Sequence, residues 1–124
     1  MAEGPYLLGI DFGTGGARVG IFDPEGTPVV FTEREFTLKH PRPGWAEQDP
    51  DEWWSSLVEA VKAAMDEGGV PAEEIAGISL DAMSSTVLAV DKEGRHLRPA
   101  IMWMDVRSSD QADRIARTHN DALK

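Results

Sequence analysis

A short apolar run, Tyr6-Leu7-Leu8-Gly9-Ile10, ends in an aspartate and a turn holding Gly13, Gly15 and Gly16. This junction constrains the fold more than any other part of the sequence. The run is too short for a typical helix and reads as a buried strand. Ala17 to Phe22 alternates, carries β-branched residues and reads as the next strand. Asp11 to Gly16 between them is too polar and glycine-rich for either element, so the chain reverses there. Asp23-Pro24-Glu25-Gly26 signals a second reversal, and Val29 to Leu38 a third strand. Strands joined by such tight turns form an antiparallel meander. A strand, not a helix, follows the first glycine turn, and no GxxxxGK[ST] is present. Neither a dinucleotide fold nor a P-loop is indicated.

Lys39 to Pro50, with Pro41, Pro43 and Gly44 inside it, reads as a loop. A helix is expected next, with Asp49 as N-cap, Pro50 at the first helical position and Glu52 closing a capping box. Trp54, Leu57, Val58, Val61, Ala64 and Met65 recur at helical spacing until Gly68-Gly69. Ala72 to Ile75 leads into a strand ending near Asp81. Thr86 to Val90 reads as another strand, Asp91 to Gly94 as a turn, and Ile101 to Met104 as a short extended segment. Ser108 with Gln111 makes a capping box for a last helix carrying Ala112, Ile115, Ala116 and Leu123. The order implies an α/β mixed sheet with flanking helices.

The first turn has a chemistry of its own. Gly13, Gly15 and Gly16 let backbone N–H groups approach an anion without a Cβ in the way. Thr14 adds a hydroxyl, and Arg18 either neutralises a phosphate oxygen or steadies the loop. Asp11 puts a carboxylate at the mouth of the turn. Beside a phosphate it would repel, unless a divalent cation and its waters lie between, which points to Mg²⁺. The same residues also suit a plain β-hairpin turn. The net charge of −10 disfavours nucleic acid and anionic membrane as partners. Cysteine is absent, which removes disulfides, thiolate metal sites and cysteine nucleophiles and fits a reducing cytoplasm. No apolar run approaches the ~18–20 residues that span a bilayer, and Met1 to Ile10 lacks the features of a signal peptide.

Three blocks carry a family resemblance. Gly9-Ile10-Asp11-Phe12-Gly13-Thr14 followed by Arg18 resembles the first phosphate loop of the actin, Hsp70 and sugar-kinase superfamily. Gly44-Trp45-Ala46-Glu47-Gln48-Asp49-Pro50-Asp51-Glu52-Trp53-Trp54 looks like the signature of the FGGY carbohydrate kinases, and Pro99 to Arg107 is similar to a later segment of the same family. The resemblance implies a ribonuclease H-like fold and an ATP-dependent kinase acting on a sugar or polyol. It places Asp11 at a water of Mg·ATP, and Gly13, Thr14, Gly15 and Arg18 beside the phosphates. Ser84, Ser85 and Trp103 fall at the sugar. Where glycerol kinases carry an Arg-Glu pair and xylulokinases a Met-His pair, this chain has Ser84-Ser85. Two small hydroxyls suit a polyhydroxylated ligand without naming it. They also suit strand-start residues bonded to backbone, and Trp103 suits a core as well as a pocket. Trp45, Trp53 and Trp54 read as packing residues, Glu47 and Asp49 as loop and helix fasteners, and Asp105 with Arg107 as a structural ion pair. His40, His96 and His119 receive no role.

FGGY kinases are several times longer than 124 residues. The resemblance places their catalytic aspartate beyond Lys124, and the second phosphate loop and adenosine pocket in another domain. Residues 1–124 are therefore expected to be the first part of the N-terminal kinase domain. The sheet is then incomplete, with unpaired edges inviting self-association, and the chain alone is inactive. The alternative is a stand-alone nucleotide- or protein-binding module of the actin-like superfamily.

Overall fold

The structure, a computed structural model, describes residues 4–118. The chain divides into two units, Met1–Thr37 with Asp49–Ser84, and Leu38–Gln48 with Ser85–Lys124.

The first unit is a four-stranded sheet with one long helix. Strands β1 (Tyr6–Phe12), β2 (Gly16–Phe22) and β3 (Pro28–Glu35) form the antiparallel meander, and β5 (Ile75–Ala82) adds parallel to β1, giving the order β3-β2-β1-β5. Helix α1 (Pro50–Gly68) lies between β3 and β5 in sequence and covers one face. Because side chains alternate across a strand, Tyr6, Leu8, Val19 and Ile21 all point to that face. They pack with Ala60, Ala64 and Val70 into the core. The small alanines let α1 approach the sheet closely, and Thr32 donates its hydroxyl to Ala60 O at 2.7 Å across the contact.

Helix α1 starts as its sequence dictates, with the Asp49 carboxylate accepting from Asp51 N–H at 3.0 Å. Glu52 does not close a capping box. Its two oxygens accept instead from the Thr37 N–H and hydroxyl. Trp54, placed by spacing on the apolar stripe, is 69% exposed. Gly69 ends the helix at φ 62°, a left-handed conformation that glycine adopts without Cβ strain. Strand β1 continues through Asp11 and Phe12, so Asp11 is a strand residue paired with Arg18, and the turn is confined to residues 13–15. Strand β3 stops at Glu35, short of Leu38.

In the second unit, β4 (Glu47–Gln48) pairs antiparallel with β6 (Ala100–Ile101). The segment expected as a loop thus contains a strand, bridged also by Lys39 to Glu47. The strand expected over residues 86–90 is reduced to isolated bridges, Val87 to Ile101 and Val90 to His96, and the extended segment at 101–104 turns after Ile101. Helix α2 spans Ser109–Ala116, with no side-chain bond from Ser108 at its cap. Leu123 and His119 lie outside the described residues. None of the helices described is long and apolar enough to cross a membrane.

Candidate functional site

The carboxyl ends of parallel β1 and β5 meet at one edge of the first unit, the usual ligand-binding edge of an α/β sheet. Asp11 stands there, 44% exposed, with its carboxylate 3.4 Å from the Arg18 guanidinium on β2. Arg18 also reaches Glu33 of β3 at 3.5 Å, so a row of alternating charge crosses the three strands.

The turn is held from both sides. Gly13 N–H closes it on Gly16 O at 3.0 Å, and Gly15 O accepts from Phe36 N–H at 2.8 Å. Phe36 in turn stacks beside Phe12 and touches Trp53. The glycines have separate reasons. A Cβ on Gly13 would fall 2.9 Å from Arg18 Nη2, so its absence lets the guanidinium fold over the turn. A Cβ on Gly16 would lie 2.4 Å from Arg34 O on β3, whereas one on Gly15 would meet nothing within 4 Å. None of the three has a left-handed φ. The Gly13 N–H is thus used inside the turn, and Gly15 is the position at the tip that faces open space.

The structure adds a residue the sequence reading passed over. The β1–β5 register sets Asp81 directly beside Asp11, with its carboxylate accepting from Ala82 N–H at 2.8 Å. The repeated pattern of an apolar strand ending in Asp, Gly9-Ile10-Asp11 and Ser79-Leu80-Asp81, was the available signal. Beyond Ala82 the pairing runs on, Met83 N–H bonding Phe12 O at 3.1 Å, and Ser84 follows at the same edge, exposed.

Ser85, Thr86 and Trp103 belong to the second unit. Ser85 has φ 61°, a conformation costly for a residue with a Cβ and common at functional sites. The neighbouring Thr86 hydroxyl is buried without a hydrogen-bond partner among the described residues. Val87 and Ile101 exchange two backbone bonds of 2.9 Å. The bridge is antiparallel, so Ser85 and Trp103 leave it in the same direction, each two residues away. Trp103 is 56% exposed.

The expected Asp105–Arg107 ion pair is present, and it is part of a larger buried network. Arg107 forks onto Asp105 through Nε at 2.8 Å and Nη2 at 2.7 Å. The Arg107 hydrogen bonds hold the Asp105 carboxyl far below the usual carboxylate range. Arg107 Nη2 also contacts Glu47 at 2.9 Å, Arg98 reaches the same oxygen at 2.5 Å, and the Arg107 guanidinium lies 3.7 Å above the Trp45 ring. Trp45 and Glu47 therefore act as fasteners, as expected. His40 Nδ1 sits 2.8 Å from Trp45 O.

Comparison with known proteins places these features in a family. The profile of the FGGY family of carbohydrate kinases, N-terminal domain, matches residues 6–124. The chain is similar to the glycerol kinase of Thermococcus gammatolerans, 34% identical over 119 residues, covering 96% of this chain and 24% of the relative. It is likewise similar to glycerol kinase 2 of Thermotoga maritima, 37% identical over 111 residues, covering 89% and 22%. Among solved structures, xylulose kinase from Rhodospirillum rubrum superposes with a TM-score of 0.84 at 29% identity, covering 94% of this chain and 24% of that one. The chain thus spans about a quarter of the length of the relatives it matches. The mixed sheet with its flanking helix is the ribonuclease H-like arrangement of the actin, Hsp70 and sugar-kinase superfamily. By profile, sequence identity and fold, this chain belongs to the FGGY family of carbohydrate kinases, in the family's N-terminal domain.

Proposed function

We propose that this chain is the first part of the N-terminal domain of an ATP-dependent kinase that phosphorylates a hydroxyl of a sugar or polyol. The observation carrying this reading is the strand-end carboxylate of Asp11 beside a hairpin tip whose Gly15 faces open space. These residues suit a magnesium-bound triphosphate. The open tip admits a bulky anion to backbone N–H groups, Arg18 supplies positive charge, and Asp11 suits a cation's water shell better than a bare phosphate. When bound, Mg·ATP supplies the phosphoryl group and a counter-charge for it. This chain's share is positional. Thr14, Gly15 and Arg18 steady the phosphates, Gly13 makes room for Arg18, and Asp11 orients the metal's water. Ser84 and Ser85 offer hydroxyls to the acceptor, and Trp103 offers an apolar face for its carbons. Such positioning is most of what phosphoryl transfer asks of a protein.

No residue of this chain is assigned as the base that takes the acceptor's proton; it is expected beyond Lys124. The purified chain should accordingly form no ADP in response to any sugar or polyol. Joined to the remaining three-quarters of a family relative, it should do so. Sugar-dependent ADP formation by the chain alone would overturn this division of labour. A cytoplasmic location and the absence of a nucleic-acid partner go with this reading, the latter supported by the net charge of −10.

The edge of β5 bears on assembly. Ile78 and Leu80 share the face of Leu8 and Ile10 but are 69% and 63% exposed, and among the described residues β5 pairs on one side only. A parallel strand is normally covered on both faces. At high protein concentration the chain is expected to self-associate through β5. Sedimentation velocity should show a dimer that Leu80→Lys abolishes; a wild-type chain that stays monomeric would refute the expectation.

A further inference from the structure

The second unit contains buried charge that the phosphate chemistry does not use. The side chains of Asp105, Glu47 and Arg107 are only 1%, 10% and 14% exposed. Buried ions are weak evidence for stability, since apolar residues often serve as well. A two-pronged Arg–carboxylate fork does fix direction, however. What it fixes here is the turn that carries Trp103.

That turn spans residues 102–105 and is closed by Asp105 N–H on Met102 O at 2.9 Å. Ala46 grips both of its ends. Ala46 O accepts from Met102 N–H at 3.0 Å, and Ala46 N–H donates to the Asp105 carboxylate at 2.7 Å. The carboxylate cannot rotate away, because Arg107 holds it through two side-chain donors and its own N–H. Arg107 is itself pressed on Trp45 and tied to Glu47 of β4. One residue further, Val106 N–H bonds Gly44 O at 3.0 Å. Gly44 has φ 77°, and a Cβ there would be strained and would press on Val106 Cγ2 at 2.8 Å, which favours glycine. An exposed tryptophan on a surface turn ordinarily moves with its backbone. This one rises from a backbone bolted at both ends.

We propose that Asp105 and Arg107 are positioning residues that fix the direction of the Trp103 ring alongside Ser85. The role rests on the reading that this pair faces the sugar. The fork sets the turn, the turn sets the indole, and the Val87–Ile101 bridge sets the neighbouring serine segment against the same strand.

The test uses the chain itself, labelled with 5-fluorotryptophan, with the lines of its four tryptophans assigned by single Trp→Phe replacements. Arg107→Lys keeps the charge and removes the fork; Asp105→Asn keeps the shape and an acceptor for Ala46. Both are expected to abolish the single narrow Trp103 line in favour of broad or multiple signals. The Trp53 and Trp54 lines of the first unit should stay in place. A Trp103 line unchanged in either folded variant, with only Trp45 moved, would overturn the proposal. If the lysine variant loses the whole second unit, the asparagine variant decides. No sugar enters this measurement, so its failure is separate from failure of the substrate assignment. That assignment falls instead if Trp103→Ala leaves sugar affinity of the completed kinase unchanged.

Discussion

Asp11→Asn is expected to weaken Mg²⁺-dependent ATP binding by about 10- to 100-fold, the equivalent of one charge-assisted hydrogen bond of roughly 1.5–3 kcal/mol. Charge is the cause. Asp11 is held by its strand beside the turn, and a triphosphate arriving without a cation meets a carboxylate of its own sign. With Mg²⁺ and its waters between them, the repulsion becomes attraction. Calorimetric titration with ATP, with and without Mg²⁺, should show a large metal effect in the wild-type chain and almost none in the variant. Equal metal dependence in both would remove Asp11 from the site. The fold should not suffer. Arg18 keeps its contact with Glu33, and the lost Asp11–Arg18 pair is exposed on both sides, the kind of ion pair that contributes little. An unchanged unfolding midpoint would therefore accompany the binding loss and exclude misfolding as its cause.

The sequence disclosed the elements that local chemistry decides. The meander follows from alternation and turn residues at 23–26, and α1 from the Asp49 cap, Pro50 with no N–H to leave orphaned, and the Gly69 stop, all decided within a few residues. It failed where a distant partner competes. Glu52 forgoes the capping box because Thr37 offers two donors at once. Glu47 and Gln48 become a strand only because residues 100–101 arrive beside them, which no window around residue 47 can reveal. The turn after β1 was legible through its glycines and the Asp11 carboxylate beside it. Their division of labour was not, because it depends on β3 passing within contact of Gly16 and on Arg18 lying over Gly13. Asp81 escaped notice for the same reason: only the parallel register sets it beside Asp11.

That division of labour leads to the second large effect, a contrast between adjacent glycines. Gly16→Ala would force a methyl to within 2.4 Å of Arg34 O, with Arg34 C and Glu35 Cα at 3.1 Å. All three are backbone atoms of a paired strand, so no rotamer change relieves the clash and β3 must shift. The expected cost is about 1–3 kcal/mol or more, the range for overpacking a close-packed site. Gly15→Ala meets no atom within 4 Å and needs no left-handed φ. Its stability should hold, or rise by about 0.4–1 kcal/mol as the unfolded chain loses freedom. Yet its methyl would stand at the open hairpin tip, where the proposed phosphate would approach the Gly15 backbone. Affinity for Mg·ATP should fall about tenfold or more if one such hydrogen bond is lost. Chemical denaturation and calorimetry on the two variants then separate the roles. A plain hairpin predicts that Gly15→Ala leaves the response to Mg·ATP unchanged; a phosphate loop predicts a chain at least as stable as wild type that binds Mg·ATP about tenfold or more weakly.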